Sequence, residues 1–256
     1  MRIVIKIGTS TLSYATGHPN IRLIENFCKV VSDIKNAGYE VIIVSSGAVG
    51  MGRGKAGVSE PPAELSMNQA LAAIGQCELM YTYDKYFGEY NHTVAQLLLT
   101  ASNFTEPRQH ENLISTVNKL LELHAIPIVN ENDTVATQEL KIGDNDTLAA
   151  RVAVSVKAEL LILLSDINGL YTADPNRDPS AKLIPRVEEI TPDIEALAGG
   201  SGSKVGTGGM VTKIEAAGIA TTAGVDMVIA NGRDPAVLYD ILEGKPVGTR
   251  FAGGKK

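Results

Sequence analysis

Short, continuous apolar runs alternate with longer amphipathic stretches along this chain, and that alternation narrows the folds open to it. Residues 3–7, 41–44, 94–99, 126–129, 160–164 and 225–230 read as buried strands. Residues 21–37, much of 62–90, 111–124, 148–157 and 214–223 read as helices between them. Asn20 supplies an N-cap for the first helix and Gly38 a C′ residue after it. Apolar strands alternating with helices predict an α/β chain: a mostly parallel sheet covered on both faces. No glycine/serine linker divides the sequence. A soft boundary is expected near residue 150, between an N-terminal lobe (1–150) and a C-terminal lobe (151–256) of one continuous sheet.

In open sheets of this kind, ligands lie beyond the carboxyl ends of the strands. Three polar stretches fall there: Ser45-Ser46-Gly47, Asn130-Glu131-Asn132-Asp133 and Ser165-Asp166. Three glycine turns add to them. Gly206-Thr207-Gly208-Gly209-Met210-Val211-Thr212-Lys213 opens an alanine-rich helix. Successive glycines let backbone N–H groups converge on an anion, and the helix dipole reinforces them. Lys213, about one turn into that helix, adds a mobile positive charge. The other two turns are Lys6-Ile7-Gly8-Thr9-Ser10 and Gly143-Asp144-Asn145-Asp146-Thr147.

Each of these has a plainer alternative. Lys6 is either an edge lysine reaching solvent along its stem or a phosphate contact, and the turn that follows it favours the phosphate. Asn130–Asp133 is either a solvated turn or a set of amide and carboxylate groups for a small molecule. Residues 143–146 form either a hairpin turn with a helix cap at Asp144 or Asp146, or part of the same site. Asp166 and Tyr171 either flank a nucleotide or belong to an ordinary loop. No Walker A pattern occurs, and Gly200-Ser201-Gly202 is followed by Gly206 one position too late for a dinucleotide fingerprint.

A formal net charge of −6 disfavours a non-specific nucleic-acid binder. Cys28 and Cys77 cannot build a disulfide framework and read as buried small hydrophobes, so a reducing compartment, the cytoplasm, is expected. No apolar run approaches the ~20 residues of a membrane span. His18, His92, His110 and His124 are scattered, in no metal-ligand spacing.

Taken together, VIKIGTS, IVSSGAVGMG, IVNENDTVAT, KIGDNDTLAA, LLSDINGLYTADP and GTGGMVTK resemble the turns of the amino acid kinase superfamily. Their wording and order are most similar to its glutamate 5-kinase family, over residues 3 to about 251. IVNENDTVAT followed by KIGDNDTLAA is the specific part, while GTGGMVTK is shared more widely. The resemblance implies an αβα sandwich around a mostly parallel sheet of about eight strands. It implies transfer of the γ-phosphoryl group of ATP to the side-chain carboxylate of L-glutamate, a step toward proline, with proline as feedback inhibitor.

Carried over motif by motif, Lys6 and Lys213 are catalytic, with Asp146 orienting them. Lys6, Gly8, Ser165, Asp166, Thr207, Gly208, Gly209, Met210, Val211, Thr212 and Lys213 bind ATP. Ser46, Gly47, Asp133 and Asn145 bind glutamate. Ser165 stands where threonine is commoner, which keeps the hydroxyl. Many relatives continue into a C-terminal RNA-binding-like PUA domain, whereas this sequence stops at Lys256, so no such domain is expected. Self-association is implied through residues 62–90.

The chemistry asks for little proton transfer. A glutamate side chain, with a reference pKa of about 4.3, is already ionised at neutral pH. The obstacle is the approach of one anion to another. Mg²⁺ is expected to arrive with ATP, keeping several waters and no direct protein ligand. Alternatives are another superfamily member, namely acetylglutamate, aspartate or uridylate kinase, or a non-catalytic amino-acid or nucleotide sensor on the same fold. The KFGG opening of aspartate kinase is missing, and a sensor need not keep both lysines.

Overall fold

The computed structural model describes residues 1–14, 16–136, 144–175, 177–199 and 209–254. Its strands are β1 (Arg2–Ile7), β2 (Glu40–Ser45), β3 (Val94–Leu99), β4 (Ile126–Glu131), β5 (Leu160–Ser165), β6 (Arg186–Val187), β7 (Asp226–Asn231) and β8 (Thr249–Phe251). They form one eight-stranded sheet in the order β3-β4-β2-β1-β5-β7-β8-β6. All neighbours are parallel except β7 and β8. β1 lies inside the sheet, with Ile7 level with Ser45 of β2 and Leu164 of β5.

Side chains alternate between the two faces. On β1, Ile3, Ile5 and Ile7 join one core together with Ile24 and Phe27 of α2 (Ile21–Asn36). Met51 of α3 (Ala48–Ala56) and Tyr83 of α4 (Leu65–Gly88) belong to the same core. Here α1 is the short turn Thr9–Leu12, and Leu12 closes that core. Val4 points the other way, into a core shared with α6 (Pro107–Glu122), α7 (Asn145–Ser155) and α9 (Met210–Thr222). The short helices α5 (Ser102–Thr105), α8 (Pro192–Gly199) and α10 (Val237–Leu242) complete the layers. The period of two therefore puts Lys6 on the face of Val4, toward α7 and α9. Among the described residues no helix is long and apolar enough to cross a membrane.

The caps explain several boundaries. Asn20 Oδ1 accepts from Leu23 N at 3.3 Å and starts α2, and Gly38, at φ +93°, turns the chain away after its end. Several helices were not read from the sequence, and α3 is the one that shapes the site. α3 contains Gly50, Gly52 and Gly54, each unfavourable in a helix interior. Packing overrides propensity: a Cβ on Gly52 would lie 1.9 Å from Leu71 O, and one on Gly75 would lie 1.7 Å from Ala48 O. The two helices touch backbone to backbone. The stretch Gly52-Arg53-Gly54-Lys55-Ala56-Gly57 does have the spacing of a dinucleotide fingerprint. It occupies the last turns and cap of α3, with no strand leading into it: a Cβ on Gly52 or Gly54 would strike neighbouring backbone, and Gly57, at φ +69°, ends the helix.

Candidate active site

The floor of the site is one carboxylate between two ammonium groups. Asp144 caps α7: its Oδ1 accepts from Asp146 N at 2.7 Å and from Thr147 N at 3.0 Å. That cap holds Asp146 in the first turn, with its side chain fully buried against the sheet. Lys6 Nζ approaches Asp146 Oδ1 at 2.7 Å, as an ion pair rather than an aligned hydrogen bond. Lys213 Nζ, from the first turn of α9, donates to Oδ2 at 3.0 Å. Thr212 Oγ1 donates to the same oxygen at 3.0 Å. Burial alone would raise the Asp146 carboxyl, but the Lys6 and Lys213 ammoniums outweigh burial and hold it below its ordinary range. Asp146 is thus an anion at neutral pH and no proton acceptor. Two lysines and one aspartate leave one net positive charge at the floor.

A cleft of about 1250 Å³ opens above these groups at the carboxyl ends of the strands. On one side stand Ser46, Gly47, Asp133 and Asn145. Gly47 adopts the left-handed region, φ +106°, where a side chain would be strained, and so lets β2 turn into α3. Asn145 Nδ2 donates to Ser45 O at 3.1 Å, Ser46 Oγ at 2.8 Å and Asn130 Oδ1 at 3.0 Å. Behind them, Ser45 Oγ and Tyr83 Oη lie 2.8 Å apart.

On the other side stand Gly8, Ser165, Asp166 and Tyr171, with Gly209 and Met210 at the start of α9. Ser165 Oγ donates to Asp166 Oδ1 at 3.1 Å. Asn231 Nδ2 donates to Asn168 Oδ1 at 2.8 Å, and Arg233 lines the wall beside them. Val211 is half-exposed outside the cleft wall, and Thr212 stands behind it, its Oγ1 within hydrogen-bond distance of Asp146 Oδ2 and Gly209 O. Thr207 and Gly208 lie outside the described residues.

Sequence reasoning missed Asn231, Arg233, Arg53 and Asn68, all of which line the cleft. Asn231 and Arg233 had a usable signal, since they end an apolar strand as Ser165 does. Arg53 had none, because α3 was not anticipated, and Asn68 had none, because nothing local sets it apart on α4. Among the described residues no group of three or more histidine, cysteine, aspartate or glutamate side chains is placed to hold a metal.

Residues 1–231 match the amino acid kinase family. Glutamate 5-kinase from Listeria innocua is 51% identical, across all of this chain and 94% of its own length. Glutamate 5-kinase from Clostridium perfringens is 50% identical, across 99% of this chain and 96% of its own length. Among solved structures, carbamate kinase from Giardia lamblia bound to AMP-PNP shares the fold at a TM-score of 0.68 and 17% identity, covering 99% of this chain and 98% of that one. Isopentenyl phosphate kinase from T. acidophilum, in a product complex, does so at 0.67 and 16%, covering 98% and 100%. The chain belongs to the amino acid kinase family and, within it, to the glutamate 5-kinases.

Proposed function

We propose that this enzyme transfers the γ-phosphoryl group of ATP to the side-chain carboxylate of L-glutamate, giving glutamyl 5-phosphate for proline synthesis in the cytoplasm. The observation that carries the proposal is the pair of buried lysines sharing Asp146 at the floor of a cleft large enough for two substrates. The acceptor carboxylate needs no base, so the chain's task is positioning and charge compensation. Lys6 meets the transferring phosphoryl group from the sheet side, and Lys213 from the helix side. Asp146 keeps the two ammoniums apart and aimed. Gly209, Met210 and Lys213, with Thr207 and Gly208 before them, receive the phosphates, while Thr212 braces Asp146 and Val211 stands outside the wall. Gly8, Ser165 and Asp166 hold the rest of the nucleotide in the C-terminal lobe. Ser46, Gly47, Asn145 and Asp133 hold the amino acid in the N-terminal lobe, Asp133 facing its ammonium group.

Both carboxylate oxygens of Asp146 are engaged by lysines, and among the described residues no group of three or more acidic, histidine or cysteine side chains is placed to hold a metal. This donor set suits a Mg²⁺ carried in by the phosphates better than one bound by side chains. Mg²⁺ so bound would draw negative charge from the phosphate oxygens. Proline as feedback inhibitor and self-association along α4 complete the proposal.

The test is a trapping assay. Purified protein with ATP, Mg²⁺, L-glutamate and hydroxylamine should yield the hydroxamate of an acyl phosphate, and ATP turnover independent of glutamate would refute it. Asp133→Asn keeps the shape of the subsite and removes its charge. Glutamate KM should rise by roughly tenfold or more while ATP KM stays near wild type, as initial rates will show.

A further inference from the structure

A row of side-chain amides runs from the amino-acid side of the cleft to the outside of the molecule, and only its first two members line the site. Asn145 Nδ2 donates to Asn130 Oδ1 at 3.0 Å, Asn130 Nδ2 to Gln76 Oε1 at 3.0 Å, and Gln76 Nε2 to Gln96 Oε1 at 3.3 Å. Backbone groups of fixed polarity set the direction of the row. Ser45 O can only accept, so the Asn145 nitrogen must face it. Glu131 N can only donate, at 2.9 Å, so the Asn130 oxygen must face it. Asn130 is buried, and its nitrogen is then satisfied by Gln76, itself buried in α4. With its nitrogen shared among three acceptors, Asn145 offers its carbonyl oxygen to the cleft.

We propose that Gln76 is a positioning residue for the amino-acid subsite: by pinning Asn130, it keeps the Asn145 carbonyl oxygen presented to the ammonium group of the substrate. This rests on the glutamate reading above. Gln76 touches nothing in the cleft. It acts because, without an acceptor at its place, Asn130 carries a buried unpaired N–H₂, and any movement of the amide toward another acceptor disturbs the oxygen that holds Glu131 N and Asn145 Nδ2.

Two substitutions separate positioning from packing. Gln76→Met keeps the length and removes the acceptor. Gln76→Glu keeps an oxygen for Asn130, while exposed Gln96 can turn its own amide to suit. Glutamate KM should rise about tenfold in Gln76→Met and stay within about twofold of wild type in Gln76→Glu, the scale of one buried hydrogen bond, with ATP KM little changed in both. A packing role reverses the order, with methionine tolerated and the charged side chain damaging. That order, or a joint rise of both KM values, overturns the proposal. Should Gln76→Met fail to fold, Gln76→Ala carries the same expectation against Gln76→Glu. The hydroxamate yield of the wild type tests the glutamate reading separately. A wild type that makes none overturns both, since the ammonium that Asn145 is to meet then has no owner.

Discussion

β1 carries a cation near each end, and the two live in opposite surroundings. At its start, Arg2 Nε meets Glu40 Oε2 at 2.8 Å, and Glu40 is about half exposed, 48%. Its Nη1 also donates to Asn118 Oδ1 at 3.0 Å and Val156 O at 2.6 Å. Near its end, Lys6 meets a carboxylate of 0% exposure. A water-facing pair gains little and costs little, whereas a buried one must overcome the desolvation of both charges. Two lysines on one aspartate are a poor way to stabilise a core. The arrangement at the carboxyl end of β1 fits the proposed reception of an approaching anion, whereas the one at the amino end closes a surface.

The sharpest way to break this contrast is Asp146→Asn. It leaves two ammoniums buried face to face, and urea unfolding should show a loss of about 3–5 kcal/mol, with activity falling alongside. Next comes Lys213→Ala, which keeps the glycines before α9 but removes the ammonium proposed to meet the charge that develops during transfer. Its kcat should fall by roughly 10²–10³-fold with a smaller change in ATP affinity. Lys213→Arg should be poor too, because a planar guanidinium does not replace a compact ammonium. At the other end of β1, Glu40→Gln should cost under about 1 kcal/mol and leave kcat unchanged, as thermal unfolding and initial rates will check. If Asp146→Asn proves as mild as Glu40→Gln, the contrast between the two ends is void.

Much of this architecture was legible before any coordinates. β1, β2, β4, β5 and β7 are apolar runs bounded by polar residues, and both faces of each are covered, so composition alone marks them. β8 has three residues and β6 two, too short for a period to register. α3 is invisible to propensity because its glycines answer to contacts distant from it in the fold, Gly52 to α4 and Gly54 to Gly17, a tertiary reason. The site divides in the same way. Lys6, Lys213, Asn145 and Asp146 stand in turns whose residue types suggest anion chemistry. That Asp146 orients both lysines was implied by the resemblance, and the physical reason is the face on which period two leaves Lys6. Gln76 could not be found from the sequence, since its partner Asn130 lies 54 residues away and nothing local distinguishes it from a solvent-facing helix residue.

The position of β1 inside the sheet has a consequence in time. Its hydrogen-bonding partners on one edge begin at Glu40, but on the other they begin at Leu160, which pairs with Ile3. During synthesis at about 5–20 residues per second, β1 waits on the order of ten seconds or more with that edge open. Lys6 spends the same interval without Asp146, which is made nearly as late. The strand that carries Lys6 is the earliest made, yet it cannot gain its second edge until β5 has emerged, nor its full charge-compensated floor until Lys213 has followed.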